Sequence, residues 1–300
     1  MSTFIAVTVS GLALGSIYFL VASGLSLIFG LMDVLNFAHG VFLTLGAYAG
    51  WQVASHLGTA LGSEVLFIAT VAASIAAGAI VAALTEILLI RPLYGRVIAQ
   101  ILVTVGLDMA LVGLLTGAFS SNSQAIVAPG WLTAVVTIGA VRIPGGDFLA
   151  VGAGVAVLGL LSWFLQRTRY GLIVRAGAEN REMVRALGID VGRAFTLVFL
   201  IGGAAAGLAG LLNSLVLNSG LVDPTQGDQL LIFAFIVVVI GGMGSLKGAA
   251  IAAVIVAFVQ VYVNFYIGSS SGLADIGNVS VVLFLALLIS VRPKGLATRT

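Results

Sequence analysis

The chain is poor in what a soluble protein needs at its surface. Of 300 residues only 8% are charged, 13 Lys and Arg against 11 Asp and Glu, while 60% are hydrophobic. A soluble domain carries about 25% charged residues. There is no cysteine, which excludes disulfides, thiolate metal sites and a cysteine nucleophile. Only two histidines are present, His39 and His56, a poor donor set for a metal in a chain without thiolates. The phosphate cradle G-x-x-x-x-G-K-[ST] is missing as well, since Lys247 follows Leu246 and Lys294 follows Pro293; ATP hydrolysis by that device is therefore not available to this chain. No G-x-S-G surrounds a serine within an apolar run, "GSSSG" at 268–272 lies between runs, and Asp108 has no clear second aspartate. An intramembrane enzyme is unsupported on these grounds.

What remains is apolar. Mean hydropathy is +1.21, and runs of about 20 apolar residues match the hydrocarbon core of a bilayer. Spans are expected at roughly 4–29, 36–55, 65–90, 98–119, 147–166, 194–217, 230–246, 249–267 and 277–291. The expected fold is an all-α integral membrane bundle of about 8–9 transmembrane segments, one domain over 1–300. The runs 230–246 and 277–291 are short and glycine-interrupted, which suits broken helices held among neighbours. Residues 31–36 could form a re-entrant turn rather than a plain loop.

Charge placement orients the bundle. Placing Arg91–Arg96 on the cytoplasmic side puts twelve of the thirteen basic residues there, with only Arg142 outside. Cytoplasmic loops collect Lys and Arg in this way, so the N-terminus is expected outside and the C-terminus in the cytoplasm. The net charge of +2 is thus a membrane signal, and no nucleic-acid partner is implied. Residues 1–30 contain no Lys or Arg, so no signal-peptide n-region is expected and the first run reads as a permanent span. Thirty-nine glycines recur at small-xxx-small spacing, as in Gly11/Gly15, Gly46/Gly50, Gly113/Gly117, Gly203/Gly207 and Gly244/Gly248. Such spacing lets helix backbones approach closely in lipid. Packing inside one bundle accounts for most of these pairs, and a subunit interface for the rest.

The long inside connector, 167–193, reads "RTRYGLIVRAGAENREMVRALGIDVGR". From Ala176 to Leu187 it predicts a short amphipathic helix, with Met183, Val184 and Leu187 on one face and Arg181, Glu182 and Arg185 on another. Arg175 and Glu179 can pair at i, i+4, Gly188 suits a left-handed C-cap, and Asp190 suits a cap for the next span. Such a helix lies either on the headgroups or against a cytosolic partner. The small apolar face flanked by both signs of charge favours the partner.

Four separated motifs carry a resemblance. "GLALGSIYFLVASGLSLIFGLMDVLNFAHGVFLTLGAY", "RPLYGR", "RAGAENREMVRALGIDVGRAFTLVFLIGGAAAGLAGLL" and "GGMGSLKGA" occur in the order found in permease subunits of branched-chain amino acid ABC importers, and the chain resembles that family along its whole length. It departs at Val41, where relatives often have an acidic residue, and in the shortened "RPLYGRVIAQ" link. The resemblance implies that Glu179 to Gly188, including Arg181, Met183, Val184, Leu187 and Gly188, form a coupling helix that docks on an ATP-binding subunit. It further implies a homologous second permease, two cytoplasmic ATPase subunits carrying ATP and Mg, a periplasmic substrate-binding protein, and location in a bacterial inner membrane. Expected substrates are branched-chain or related hydrophobic amino acids. Urea, short amides or small aromatic acids are alternatives within the family; an ion-coupled carrier or channel is the alternative outside it.

Polar residues inside the runs are the candidate path: Asn36, His39, Asp108 and Asn213. Asn36 either lines the inner end of the path or caps the second span. His39 either lines it too or donates to a neighbouring carbonyl. Asp108, deep in "ILVTVGLDMALVGLL", costs at least ~2.5 kcal/mol to insert and so requires a partner or a function. Glu86 is expected to pair with Arg91 or Arg96.

Overall fold

The computed structural model describes residues 2–32, 34–58, 62–138, 141–179, 183–184, 191–268, 275–292 and 295–296. Its helices are α1 (Ser2–Met32), α2 (His39–Leu57), α3 (Ser63–Thr85), α4 (Val97–Phe119), α5 (Gly145–Arg167), α6 (Arg169–Glu179), α7 (Val191–Leu212), α8 (Gln226–Gly241), α9 (Leu246–Val263) and α10 (Ile276–Val291). Wider π-type turns extend three of them, at Glu86–Ile90, Asn213–Leu217 and Asn264–Gly268. Among the described residues, strand structure is confined to two short antiparallel pairs. β1 (Gln124–Ala125) lies against β4 (Leu221–Val222), and β2 (Val135–Ile138) forms a hairpin with β3 (Val141–Pro144). Among the described residues, six helical stretches are long and apolar enough to cross a membrane: Thr3–Gly30, Ser63–Leu93, Val97–Phe119, Gly145–Arg167, Gly192–Leu217 and Leu246–Gly268. The 16-residue helices α8 and α10 are shorter, and α2 spans 19 residues.

The bundle is built around α1 and α7. Two-thirds of the most apolar stretch of Gly192–Leu217 is buried (67%), against 11% for Val97–Phe119, so α7 is central and α4 peripheral. Glycine makes the central contacts. A Cβ on Gly207 would meet the backbone of Ser74 and Gly78, and one on Gly203 would meet Gly78 and Ala82, so α3 and α7 touch backbone to backbone. Gly46 meets Gly207 in the same way, and Gly11 and Gly15 seat α1 on Phe258, Ala253 and Val254 of α9. In lipid, where leaving the solvent gains an apolar side chain little, such close approach is the main source of helix association. Gly106, Gly113 and Gly117 of α4 meet nothing within 4 Å. The other glycine pairs pack inside the bundle; this one faces outward.

Side-chain locks add to the packing. Glu86, fully buried, accepts two bonds from Arg91, at 3.1 Å from Nε and 3.0 Å from Nη2. It also accepts from Thr196 Oγ1 at 2.8 Å and from the Tyr94 hydroxyl. The expected Glu86–Arg91 pair is present, and it also ties the end of α3 to α7. Ser10 donates to Asp147 at 2.8 Å, joining α1 to the first turn of α5.

Of the helix expected over Ala176–Leu187, residues 180–182 and 185–187 lie outside the described residues. The connector also holds a helix start that the sequence does not announce, that of α6 at Arg169. Its cause is Thr168, whose Oγ1 accepts the Gly171 amide at 2.9 Å, an N-cap bond that starts a new helix one residue after α5 ends.

Candidate functional site

The link from α1 to α2 climbs back into the bundle. Asn36 opens a tight turn: its Oδ1 accepts the Ala38 amide at 3.1 Å and its backbone carbonyl accepts the His39 amide at 3.3 Å. The next amide, Phe37 N, donates to Thr104 Oγ1 at 3.3 Å. Thr104 lies one turn before Asp108, and Asp108 sits at the middle of α4. The first turn of α2 also comes near Asp108 through Val41, while the buried Asp108 Oδ1 has no hydrogen-bond partner. The start of α2 is therefore tied to α4 at Thr104, two turns into that helix. Asn36 is not the N-cap of α2, a position held by Ala38; its bonds instead shape the turn that delivers the chain there.

A second helix start packs against it. Gly227, in the first turn of α8, donates its amide to Thr44 Oγ1 at 3.1 Å. A Cβ on Gly40 would lie 2.9 Å from the Gly227 carbonyl oxygen. Only glycine at both positions allows this approach. Asp228, the next residue, comes near enough to Asp108 for the two carboxyl groups to interact electrostatically, beside the starts of α2 and α8. Those termini carry partial positive charge and unpaired amides, which is why acids are tolerated there. Both aspartates are half-buried.

Apolar side chains follow Asp228 along α8. Asp228, Ile232 and Phe235 follow at i, i+4 and i+7 on one face of α8, with Ile232 58% exposed. The Phe235 ring lies 5.2 Å from that of Phe37 between centroids.

The expected site residues divide into two groups. Asn36 and Asp108 belong to this junction. His39 stands beside it but points away: fully buried, its Nε2 lies 3.2 Å from the Val21 carbonyl, so that nitrogen carries the proton and donates. Asn213 lies elsewhere, donating through Nδ2 to Gln226 Oε1 at 3.0 Å, with Ser214 donating to the same oxygen at 2.9 Å. Asp228 reads in the sequence as part of an outer connector, with its span starting near 230; α8 begins at Gln226 instead. The available signal is "DPTQGD", since Asp223 Oδ1 accepts the Thr225 amide at 2.8 Å and its hydroxyl at 2.7 Å just before the helix. Burial would raise the Asp223 pKa, but the bonds from Thr225 and Ser123 outweigh it and hold the carboxyl below its ordinary value.

In the connector after α6, Met183 is exposed and Val184 is buried in the main core, so these two do not act as one outward apolar face. Glu179 ends α6; Arg181, Leu187 and Gly188 lie outside the described residues, as do the pairing and capping expected of Glu182, Arg185 and Asp190.

The long apolar helices make this an all-α, multi-pass membrane protein. The family model described as "Branched-chain amino acid transport system / permease component" matches residues 7–291, and the chain belongs to that family. It is 28% identical over 298 residues to the high-affinity branched-chain amino acid transport system permease protein BraD of Pseudomonas aeruginosa, covering 97% of this chain and 94% of that one. Its likeness to LivH of Escherichia coli, of the same description, is 27% over 300 residues with the same coverage. The xylose transport system permease protein XylH of Escherichia coli is 34% identical over 151 residues, 47% of this chain and 38% of that one. No solved structure matches the chain.

Proposed function

We propose that this chain is the transmembrane permease subunit of an ABC importer for branched-chain or related hydrophobic amino acids, forming half of the translocation path. The observation that carries the reading is the meeting of the α2 and α8 starts beside Asp108 and Asp228. Discontinuous helices of this kind hold charged substrate groups at the bilayer midplane. The carboxyl pair suits the ammonium group of the substrate, and Phe37, Ile232 and Phe235 suit its aliphatic side chain. Asn36 and His39 position the α2 start, and Asn213, through Gln226, braces the start of α8. The relatives named for branched-chain amino acids match nearly the whole chain, whereas the xylose permease matches half, so the amino-acid reading is preferred.

In this reading the remaining short helices complete eight to nine spans, with the N-terminus outside and the C-terminus in the cytoplasm of a bacterial inner membrane. Two separate ATPase subunits supply ATP and Mg, and they push through the connector 167–193, from Glu179 and Arg181 to Leu187 and Gly188. A homologous second permease and a periplasmic binding protein complete the assembly. Gentle purification of the tagged chain tests this directly. Vanadate-sensitive ATPase activity should co-elute with the parent and disappear from Leu187→Asp/Gly188→Asp. A folded parent that elutes alone, with no ATPase activity, contradicts the importer reading.

A further inference from the structure

A cavity of about 690 Å³ opens at the end of the bundle where α1 and α5 finish and α9 begins. Arg167, Arg175 and Lys247 line it, together with Ser26, Gln166 and Ser245, and no acidic side chain does so among the described residues. Its level is fixed by the helices. The long apolar stretch of α1 ends at Gly30, that of α5 ends at Arg167, and that of α9 begins at Leu246. All three boundaries lie on its wall, at the depth where hydrocarbon gives way to lipid headgroups.

Two independent features mark it as built for an anion. Ser26 is 1% exposed, yet its hydroxyl has no hydrogen-bond partner. Elsewhere on the same helix Ser16 and Ser23 return their hydroxyls to the carbonyls of Leu12 and Leu20, at 2.8 and 2.9 Å. A helical serine has that bond available, and a buried donor that forgoes it loses stability. Ser26 is among the residues that line the cavity, and a phosphate oxygen that reached its hydroxyl would take up the unused bond. The second feature is the N-terminus of α9. Ser245 caps it by accepting the Gly248 amide at 3.0 Å, which leaves the amides of Leu246 and Lys247 at the start of an 18-residue helix. Helix starts favour anions; a lysine in that first turn opposes the dipole, an opposition that a bound anion would relieve.

We propose that this cavity binds a phosphate group, supplied in the membrane by the headgroup of an anionic phospholipid. Basic pockets between spans at this level are suited to such headgroups. The site is separate from the Asp108–Asp228 junction and does not depend on which substrate the permease carries.

The test uses the full chain in detergent and three probes: phosphatidylglycerol, phosphatidylcholine and inorganic phosphate. Lipid retention is read by native mass spectrometry, and protection by thermal unfolding. Phosphatidylglycerol should bind at least about tenfold more tightly than phosphatidylcholine, with a loss on the order of fivefold for each cation removed in Arg167→Gln, Arg175→Gln and Lys247→Gln. Ser26→Ala should weaken retention, and Lys247→Arg should preserve it. Competition by inorganic phosphate supports the phosphate as the recognised group. Protection by phosphate without phosphatidylglycerol retention assigns the ligand to the soluble ion instead of lipid. Equal binding of the two lipids by the unmodified chain, with no effect of phosphate, overturns the proposal even if every variant fails to fold.

Discussion

At the scale of single residues, the few buried polar groups of this chain are used with little redundancy. Glu86 gathers Arg91, Tyr94 and Thr196, converting a buried carboxylate into the knot between α3 and α7. Glu86→Ala removes all of these bonds. Because the Arg91 side chain is 43% exposed and regains water, the cost should be about 2 kcal/mol rather than that of a wholly buried pair. The variant should unfold several degrees below the parent in a detergent melt, with the same helical content; an unchanged melting temperature would show that the knot contributes nothing. His39 illustrates a different use. The sequence leaves it open between lining the path and donating to a neighbouring carbonyl, and its bond to Val21 makes it a strut from α2 to α1.

At the scale of elements, the junction depends on two glycines more than on any side chain. Gly40→Ala or Gly227→Ala forces the α2 and α8 starts apart and should cost about 1–3 kcal/mol by overpacking. Gly106→Ala on the open face of α4 is the control: nothing lies within 4 Å, and alanine is the better helix former. Melting temperatures should fall for the first two and hold or rise for the third; equal effects at all three positions would dismiss the close approach. Most helices are legible in the sequence because long apolar runs carry their own boundaries, and the glycine spacings correctly announce tight packing. The α8 start is not legible. Asp228 follows a proline and a glycine in a polar stretch, which reads as an aqueous connector, and only its nearness to Asp108 on a distant helix shows that it lies in the bundle. The α6 start is hidden for a local reason, because a single threonine cap divides what reads as one basic connector. Asn36 stands out in the sequence correctly, but a turn just before a helix and a true N-cap share one sequence signature.

At the scale of the whole molecule, α1, α3, α7 and α9 form a rigid, glycine-packed centre, while α4 stands at the rim with its outward glycines free. Asp108, on this peripheral helix, stands near Asp228 at the start of α8. The charged residues have separate roles. Asp108 and Asp228 lie beside the α2 and α8 starts, the Glu86 knot holds the scaffold, and Arg167, Arg175 and Lys247 line the cavity where α1 and α5 finish. The central claim is that the aspartate pair handles the substrate's ammonium. Its most direct test is labelled leucine uptake by the complete importer in proteoliposomes, comparing the parent with Asp108→Asn and Asp228→Asn. Losing a charged hydrogen bond should slow uptake about 10-fold or more, while assembly and basal ATP hydrolysis persist. Uptake at the parent's rate in both variants would contradict the account.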